Sequence, residues 1–152
     1  FGSAPEIQSK LGAINAVAFD LTAACSGFLF AAITATQFLK AGSYKRAVVI
    51  GSDQLSSYVD WNDRRSCILF GDGAGALAIE GTNEVDNLIG FSMRTDGQRG
   101  SFLNLPSQNN QDLIIDDINF SSGGFSSIKM NGQEVYKFAV REVPLIIDNL
   151  FN

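Results

Sequence analysis

Apolar and polar positions along this chain fall into blocks that read as strand, turn and helix. An apolar run from Ala16 to Leu21 gives way to Thr22-Ala23-Ala24-Cys25-Ser26-Gly27. From Ser26 to Lys40, Phe28, Leu29, Phe30, Ala31, Ala32, Ile33, Ala35, Phe38 and Leu39 are apolar nearly all round. The spacing predicts a strand over 15–23, a tight turn, and a helix over 26–40 buried on more than one side. Lys40 near the end and Gly42 beyond it mark that helix's C-terminus. Ala47-Val48-Val49-Ile50 is a short continuous apolar run, typical of a central parallel strand, which Gly51-Ser52-Asp53 would end. Strand, buried helix, strand predicts a right-handed βαβ unit. Cys25 and Asp53 would both lie on the carboxyl edge of its strands, where sites collect in such sheets.

Upstream, Ser3-Ala4-Pro5-Glu6 reads as a helix start capped by Ser3, with Ile7 and Leu11 on one face and Gly12 as the stop. Residues 54–65 form a loop carrying Tyr58, Trp61, Asp63, Arg64 and Arg65. That composition suits a solvated turn equally with a mouth for a phosphate-bearing ligand, since arginine binds phosphate bidentately and stacks on flat rings. Ser66-Cys67-Ile68-Leu69-Phe70 predicts a strand, followed by Gly71-Asp72-Gly73-Ala74-Gly75-Ala76 and the strand Leu77–Glu80. The glycine run lacks the Lys-Ser/Thr of a phosphate-binding loop and leads into a strand. It reads as a joint between two strands whose backbones pack closely. A polar turn over Thr82–Asn87 and a strand over Leu88–Met93 follow, ended by Thr95-Asp96-Gly97. Residues 98–127, rich in Gly, Ser, Asn and Gln, read as loop. From Asn131, Val135, Phe138, Ala139, Val143, Ile146, Ile147 and Leu150 have helical spacing, with Pro144 as a kink. Lys137 and Arg141 share one exposed face, which spacing alone gives more readily to a solvated helix than to a binding surface.

Composition narrows the field. The chain has 152 residues, 45% hydrophobic and 18% charged, an ordinary globular balance with enough for one core. Twelve Phe and one Trp predict a substantial interior. A net charge of -5 argues against wholesale nucleic-acid binding. Cys25 and Cys67 form no disulfide framework and read as reduced thiols of an intracellular protein. No apolar run reaches the length of a membrane span, and no signal peptide is visible. Asn119-Phe120-Ser121 matches a glycosylation acceptor, a match without consequence unless the chain is secreted. There is no histidine, so neither a Cys–His nor a Ser–His pair can be assembled within these residues. The chain opens at Phe1-Gly2-Ser3 without an initiator Met and stops inside an expected helix. The expectation is therefore a fragment, with a half-sheet whose apolar faces are uncovered and whose solubility is poor.

The thiol of Cys25 is the chemistry the pattern singles out. At the first turn of a helix it sits beside unpaired backbone N–H groups and the positive end of the helix dipole. Both favour thiolate, the form that attacks a carbonyl. Ala23, Ala24 and Gly27 are small enough to let a substrate approach. The competing reading is an inert cysteine buried in a strand–helix turn.

Thr22–Phe28 and Phe70–Ala76 are two specific motifs at a specific separation. With Gly51-Ser52-Asp53, Asp63-Arg64 and Met130-Asn131-Gly132-Gln133-Glu134-Val135-Tyr136-Lys137, they make the chain resemble β-ketoacyl-acyl-carrier-protein synthase III over essentially its whole length. Phe1–Pro5 and Val59-Asp60-Trp61 are most similar to cyanobacterial or plastid members. The resemblance implies an α/β fold, the thiolase-like layered αβαβα sandwich. Residues 1–97 would be the remainder of the N-terminal half with the nucleophile, and 98–152 a linking loop and the start of the C-terminal half. It implies an acyltransferase that initiates type II fatty acid synthesis. Cysteine takes acetyl from acetyl-CoA, and the acyl-enzyme condenses with malonyl-carrier protein, losing CO₂ to give acetoacetyl-carrier protein.

By motif position Cys25 is that nucleophile, its backbone N–H contributing to the oxyanion hole. Arg64 matches the arginine that packs on the CoA adenine; Trp61 does not match its stacking partner and takes no role. Phe70 matches the aromatic residue beside the nucleophile. Gln133 and Tyr136 match positions lining the pantetheine tunnel, where relatives often carry Asn and Phe. Lys137 matches a basic residue that docks the acidic carrier protein, and Arg141 goes with it. Phe1 matches, across a gap, a Phe that reaches into the partner subunit's acyl pocket. The family's catalytic His and Asn have no counterpart here. The resemblance further implies a homodimer in the bacterial cytoplasm or plastid stroma. Its substrates are acetyl-CoA and malonyl-acyl-carrier protein, with no cofactor, no metal, no nucleic acid and no membrane. The rival readings are a polyketide-type or hydroxymethylglutaryl-CoA-type condensing enzyme of the same fold, and a non-catalytic truncated fragment or interaction partner.

Overall fold

A computed structural model describes residues 2–82, 88–115 and 118–151, with backbone alone for those between 109 and 122. Phe1 and most of the polar turn expected at 82–87 lie outside the described residues. The chain divides into two compact units, Phe1–Gly51 with Ala74–Asp86, and Ser52–Gly73 with Asn87–Asn152.

The first unit opens with helix α1 (Ser3–Lys10), for which Gly2 rather than Ser3 is the capping residue. Its cap comes from a distance: Asp20 Oδ1 accepts the Ala4 N–H at 3.0 Å. A Cβ at position 2 would overlap the Asp20 carboxylate, so the approach requires glycine there. Gly12, at φ +65°, stops the helix as its sequence position suggests. The strand expected over 15–23 does not form. Those residues carry no ladder, and Val17 and Phe19 are exposed. A strand exists only with a hydrogen-bonded neighbour. Among the described residues β1 (Arg46–Gln54) pairs with β2 (Asp72–Glu80), and 15–23 join neither.

A 3₁₀ turn (Ala24–Ser26) runs directly into α2 (Gly27–Lys40). Within this apolar helix Thr34 and Thr36 return their hydroxyls to the carbonyls of Phe30 and Ala32, each at 2.8 Å. The helix closes on Gly42 at φ +73°, with Gly42 N–H on Leu39 O and Ser43 N–H on Phe38 O. That is the paired bonding of a Schellman motif. Tyr44 then packs edge-on against Phe38, ring centroids 5.9 Å apart. The helix is half-buried along most of its length rather than enclosed. Leu39 is its buried residue and Leu29 is 63% exposed. The substantial interior expected from twelve Phe is likewise not seen: among the described residues the buried apolar ones are Leu39, Val49 and Val59.

Strand β1 continues past Gly51-Ser52-Asp53 to Gln54, where the sequence suggested a stop. Its start lies beside the end of β2, with Lys45 O accepting the Gly81 N–H at 2.8 Å and Arg46 Nε 2.7 Å from Glu80 Oε1. The two strands therefore run antiparallel. The Gly71–Ala76 run is not a joint, since β2 is continuous from Asp72.

In the second unit a 3₁₀ turn (Leu55–Tyr58) leads into a chain of turns through 69. The strand expected at 66–70 is replaced by turns because Asp63 O gathers the N–H groups of Ser66 and Cys67, at 3.1 and 3.0 Å. Ile68 and Leu69 point outward. Residues 88–93 likewise form no strand. The segment 98–127, read as loop, is largely structured. A 3₁₀ turn (Gly97–Phe102) precedes two nested antiparallel pairs, β3 (Leu103–Asn104) with β6 (Lys129–Met130) and β4 (Ser107–Ile115) with β5 (Ile118–Phe125). Their register runs from Leu103↔Met130 through Ser107↔Phe125 to Ile115↔Ile118. A backbone ladder needs no apolar alternation, so Gln, Asn and Ser conceal it in the sequence. Helix α3 (Gly132–Phe151) follows, the Asn131 side chain accepting the Glu134 N–H at 3.3 Å, with Pro144 in its interior.

A Cβ on Gly51 would lie 3.1 Å from Phe28 Cδ2 and 3.3 Å from Phe28 Cβ, so β1 and α2 meet where a side chain is missing. Gly51→Ala is expected to destabilise the protein by about 1–3 kcal/mol through overpacking, read as a lower urea midpoint at unchanged slope.

Candidate active site

Cys25 occupies the middle of the 3₁₀ turn that starts α2, and it is exposed and unbridged. The turn is strained. Ala24 adopts φ +47°, a left-handed conformation that costs an alanine of order 1–3 kcal/mol. Ser26 N–H closes the turn on Ala23 O at 3.1 Å, and Gly27 N–H reaches Ala24 O. Phe28, one turn on, is held against Gly51. Cys25 is thus exposed here, not buried as the competing reading from sequence had it. Cys67 is half-buried in the turns of the second unit.

The other six residues singled out lie in the second unit, apart from Cys25 in the first. Arg64 and Phe70 belong to the run of turns between the Leu55–Tyr58 turn and β2. Asp72 anchors the start of that run. Its Oδ1 accepts the Ser56 N–H at 2.8 Å and its Oδ2 the Ser56 hydroxyl at 2.6 Å. Asp63 takes Arg65 in a fork, Nε at 2.9 Å and Nη2 at 3.2 Å. Arg64 is left exposed, with no hydrogen bond or ion pair among the described residues. One guanidinium is therefore spent on the loop and its neighbour is available to a ligand. Trp61 is 65% exposed and Phe70 half-buried.

Gln133, Tyr136, Lys137 and Arg141 lie on the exposed part of α3, with Gln133, Lys137 and Arg141 at successive four-residue steps. Tyr136 is 69% exposed. Lys137 Nζ is 2.7 Å from Glu134 Oε1, so its charge is partly answered from within the helix.

Sequence reasoning missed a second set of groups around Glu142, which is buried on the inner side of α3. Arg94 Nη1 lies 3.1 Å from its Oε2 and Arg99 Nη1 2.9 Å from its Oε1. Arg99 also reaches Asp96 at 3.3 Å and stacks on the Phe138 ring at 5.5 Å. The Arg99 hydrogen bond, chiefly, with the charge of Arg94 beside it, holds the Glu142 carboxyl below its ordinary value. The available signal was one carboxylate on the apolar stripe Val135, Phe138, Ala139, Ile146. Among the described residues no cluster of His, Cys, Asp or Glu could hold a metal ion, and no helix is long and apolar enough to cross a membrane.

Against known proteins, residues 19–97 match the family model for 3-oxoacyl-[acyl-carrier-protein] synthase III. The chain is 97% identical over 151 residues to the β-ketoacyl-[acyl-carrier-protein] synthase III of Prochlorococcus marinus subsp. pastoris, covering 99% of this chain and 45% of that one. It is 92% identical to the enzyme of the same name from strain MIT 9515, with the same coverage. It superposes on the crystal structure of 3-oxoacyl-[acyl-carrier-protein] synthase III from Aquifex aeolicus VF5 with a TM-score of 0.80 at 34% identity, over 97% of this chain and 42% of that one. The chain thus spans under half the length of the relatives it matches. The architecture is that of the thiolase-like α/β fold over the part it covers.

The hydrogen bonds from Ser56 lower the Asp72 carboxyl from its ordinary value of 3.8. A carboxyl lowered on folding stabilises above its unfolded value and loses that contribution as pH falls through the folded one. Below pH 3.8 the wild type is therefore expected to lose stability more steeply than Asp72→Asn, measured by urea unfolding across an acid pH series.

Proposed function

The chain belongs to the 3-oxoacyl-[acyl-carrier-protein] synthase III family, and on that footing we propose that it carries the nucleophile half of an initiating condensing enzyme of fatty acid synthesis. The observation that carries the reading is Cys25: an exposed, unbridged thiol on a strained turn at the head of an apolar helix, inside the span matched by the family model.

Cys25 Sγ, as thiolate, attacks the carbonyl of acetyl-CoA. The new C–S bond forms as the bond to the CoA sulfur breaks, and the CoA thiolate takes up a proton. The thioester oxygen, negative in the tetrahedral intermediate, is met by the Cys25 N–H at the start of the helix. Malonyl-carrier protein then loses CO₂, and its carbanion attacks the acetyl carbon, releasing acetoacetyl-carrier protein and restoring the thiolate. These residues contain no histidine. Stabilising the decarboxylation is therefore assigned to a His and an Asn outside them. No cofactor is needed, because acetyl-CoA is consumed as substrate.

Arg64 packs on the CoA adenine, a role consistent with its freedom beside the engaged Arg65. Phe70 flanks the nucleophile, Gln133 and Tyr136 line the pantetheine path, and Lys137 with Arg141 receives the acidic carrier protein. Residues 1–97 complete the N-terminal half and 98–152 begin the C-terminal half of a homodimeric enzyme. It works in the cytoplasm of a bacterium, or in a plastid stroma, without nucleic-acid or membrane partners.

In the whole protein, intact-mass spectrometry after mixing with acetyl-CoA is expected to give an acetyl adduct in the wild type and none in Cys25→Ala. Acyl transfer should fall below about one thousandth with the fold intact; an adduct that survives Cys25→Ala overturns the assignment. Arg64→Ala is expected to raise KM for acetyl-CoA about tenfold at unchanged kcat, in steady-state assays at saturating carrier protein.

A further inference from the structure

Pro144 has no N–H, so the carbonyl of Val140 lacks its partner four residues on and α3 is weakened across 140–144. The exposed strip Gln133, Lys137, Arg141 runs into that stretch, with Arg141 inside it. A side-chain contact that spans the start of the stretch therefore helps to hold the strip in one direction.

Arg99 makes that contact twice. Its guanidinium stacks on Phe138 at 5.5 Å and donates to Glu142 at 2.9 Å, gripping two residues one turn apart on the same side of α3. Arg94 grips Glu142 from a second position at 3.1 Å, and Asp96 steadies Arg99 at 3.3 Å. Lys137 and Arg141 immediately precede Phe138 and Glu142, and neighbouring helical residues are separated by about 100° around the axis. Fixing 138 and 142 thus fixes the direction in which 137 and 141 face.

A buried carboxylate between two arginines contributes little net stability compared with an apolar group of the same volume, whereas its geometry specifies one register. We infer that Glu142, through Arg94 and Arg99, is a positioning residue that aims the basic strip of α3 at the carrier protein. This rests on the reading that Lys137 and Arg141 receive that partner. The clamp supplies orientation, and the strip supplies the charge that meets an acidic protein.

The test uses the whole protein and steady-state kinetics in which carrier protein and acetyl-CoA are varied separately. Glu142→Gln keeps the volume and removes the charge that both arginines grip. Its KM for malonyl-carrier protein is expected to rise about fivefold, with the rate of Cys25 acetylation by acetyl-CoA alone unchanged. Arg99→Lys, which keeps the charge and loses the fork and the stacking, should give a smaller rise of the same kind. If Glu142→Gln does not fold, Arg94→Gln removes one donor, leaves Arg99 in place, and reads the same split. An unchanged KM for carrier protein, or an equal loss in acetylation and carrier use, overturns the inference and leaves the clamp as packing alone. Lys137→Ala separates the two levels. A raised KM there with none in Glu142→Gln removes the positioning role only, and no change in either removes the docking role with it.

Discussion

The meeting of Phe28 with Gly51 is the constraint on which the placement of Cys25 depends. Helix α2 is apolar on nearly every side and half-buried along most of its length, so burial alone does not define its orientation. One fixed point is the aromatic ring lying 3.1 Å from where a Cβ of residue 51 would be. The ring needs a strand without a side chain, and the strand needs Val49, two residues back, turned inward at 4% exposure. Cys25 lies three residues before that ring, so the ring's seat limits how far the strained turn can drift.

Elsewhere the chain achieves order through short acidic side chains more than through a large core. Asp20 caps α1, Asp72 caps the Leu55–Tyr58 turn, Asp96 caps the Gly97–Phe102 turn by accepting the Gln98 N–H, and Asp63 fastens Arg65. The first three satisfy backbone donors at an element's start, where a helix or turn has no partners of its own. The excess of acids that gives the net charge of -5 is thus partly structural. Meanwhile Leu29, Ile68, Leu69, Tyr136 and Ile147 remain exposed.

What the sequence disclosed and what it concealed divide along one line. Features written locally were legible: Gly42 ending α2, Asn131 starting α3, and Cys25 at a helix head with small neighbours. Features that depend on a distant partner were not. Ala16–Leu21 and Ile68–Phe70 have the apolar character of strands but find no neighbour to pair with, and the second is drawn into turns by a single carbonyl. The 107–125 hairpin was hidden for the converse reason, because its ladder is built from backbone and its side chains carry no alternation. Glu142 was passed over because its two arginines lie more than forty residues upstream, at separations of 48 and 43. Of the seven candidate residues, Cys25, Arg64, Lys137 and Arg141 could be singled out from their own surroundings, each against a competing structural reading, whereas Phe70, Gln133 and Tyr136 needed the family's motifs to be noticed.

The left-handed alanine before Cys25 has one more consequence. Glycine at position 24 would adopt φ +47° without strain, so the backbone alone would favour that exchange. It would also return to the turn every conformation that a Cβ forbids. The turn, and the thiol it carries, would then sample a wider range of directions. Ala24 in effect trades enthalpy for aim: the residue holds the chain under tension so that the sulfur does not wander.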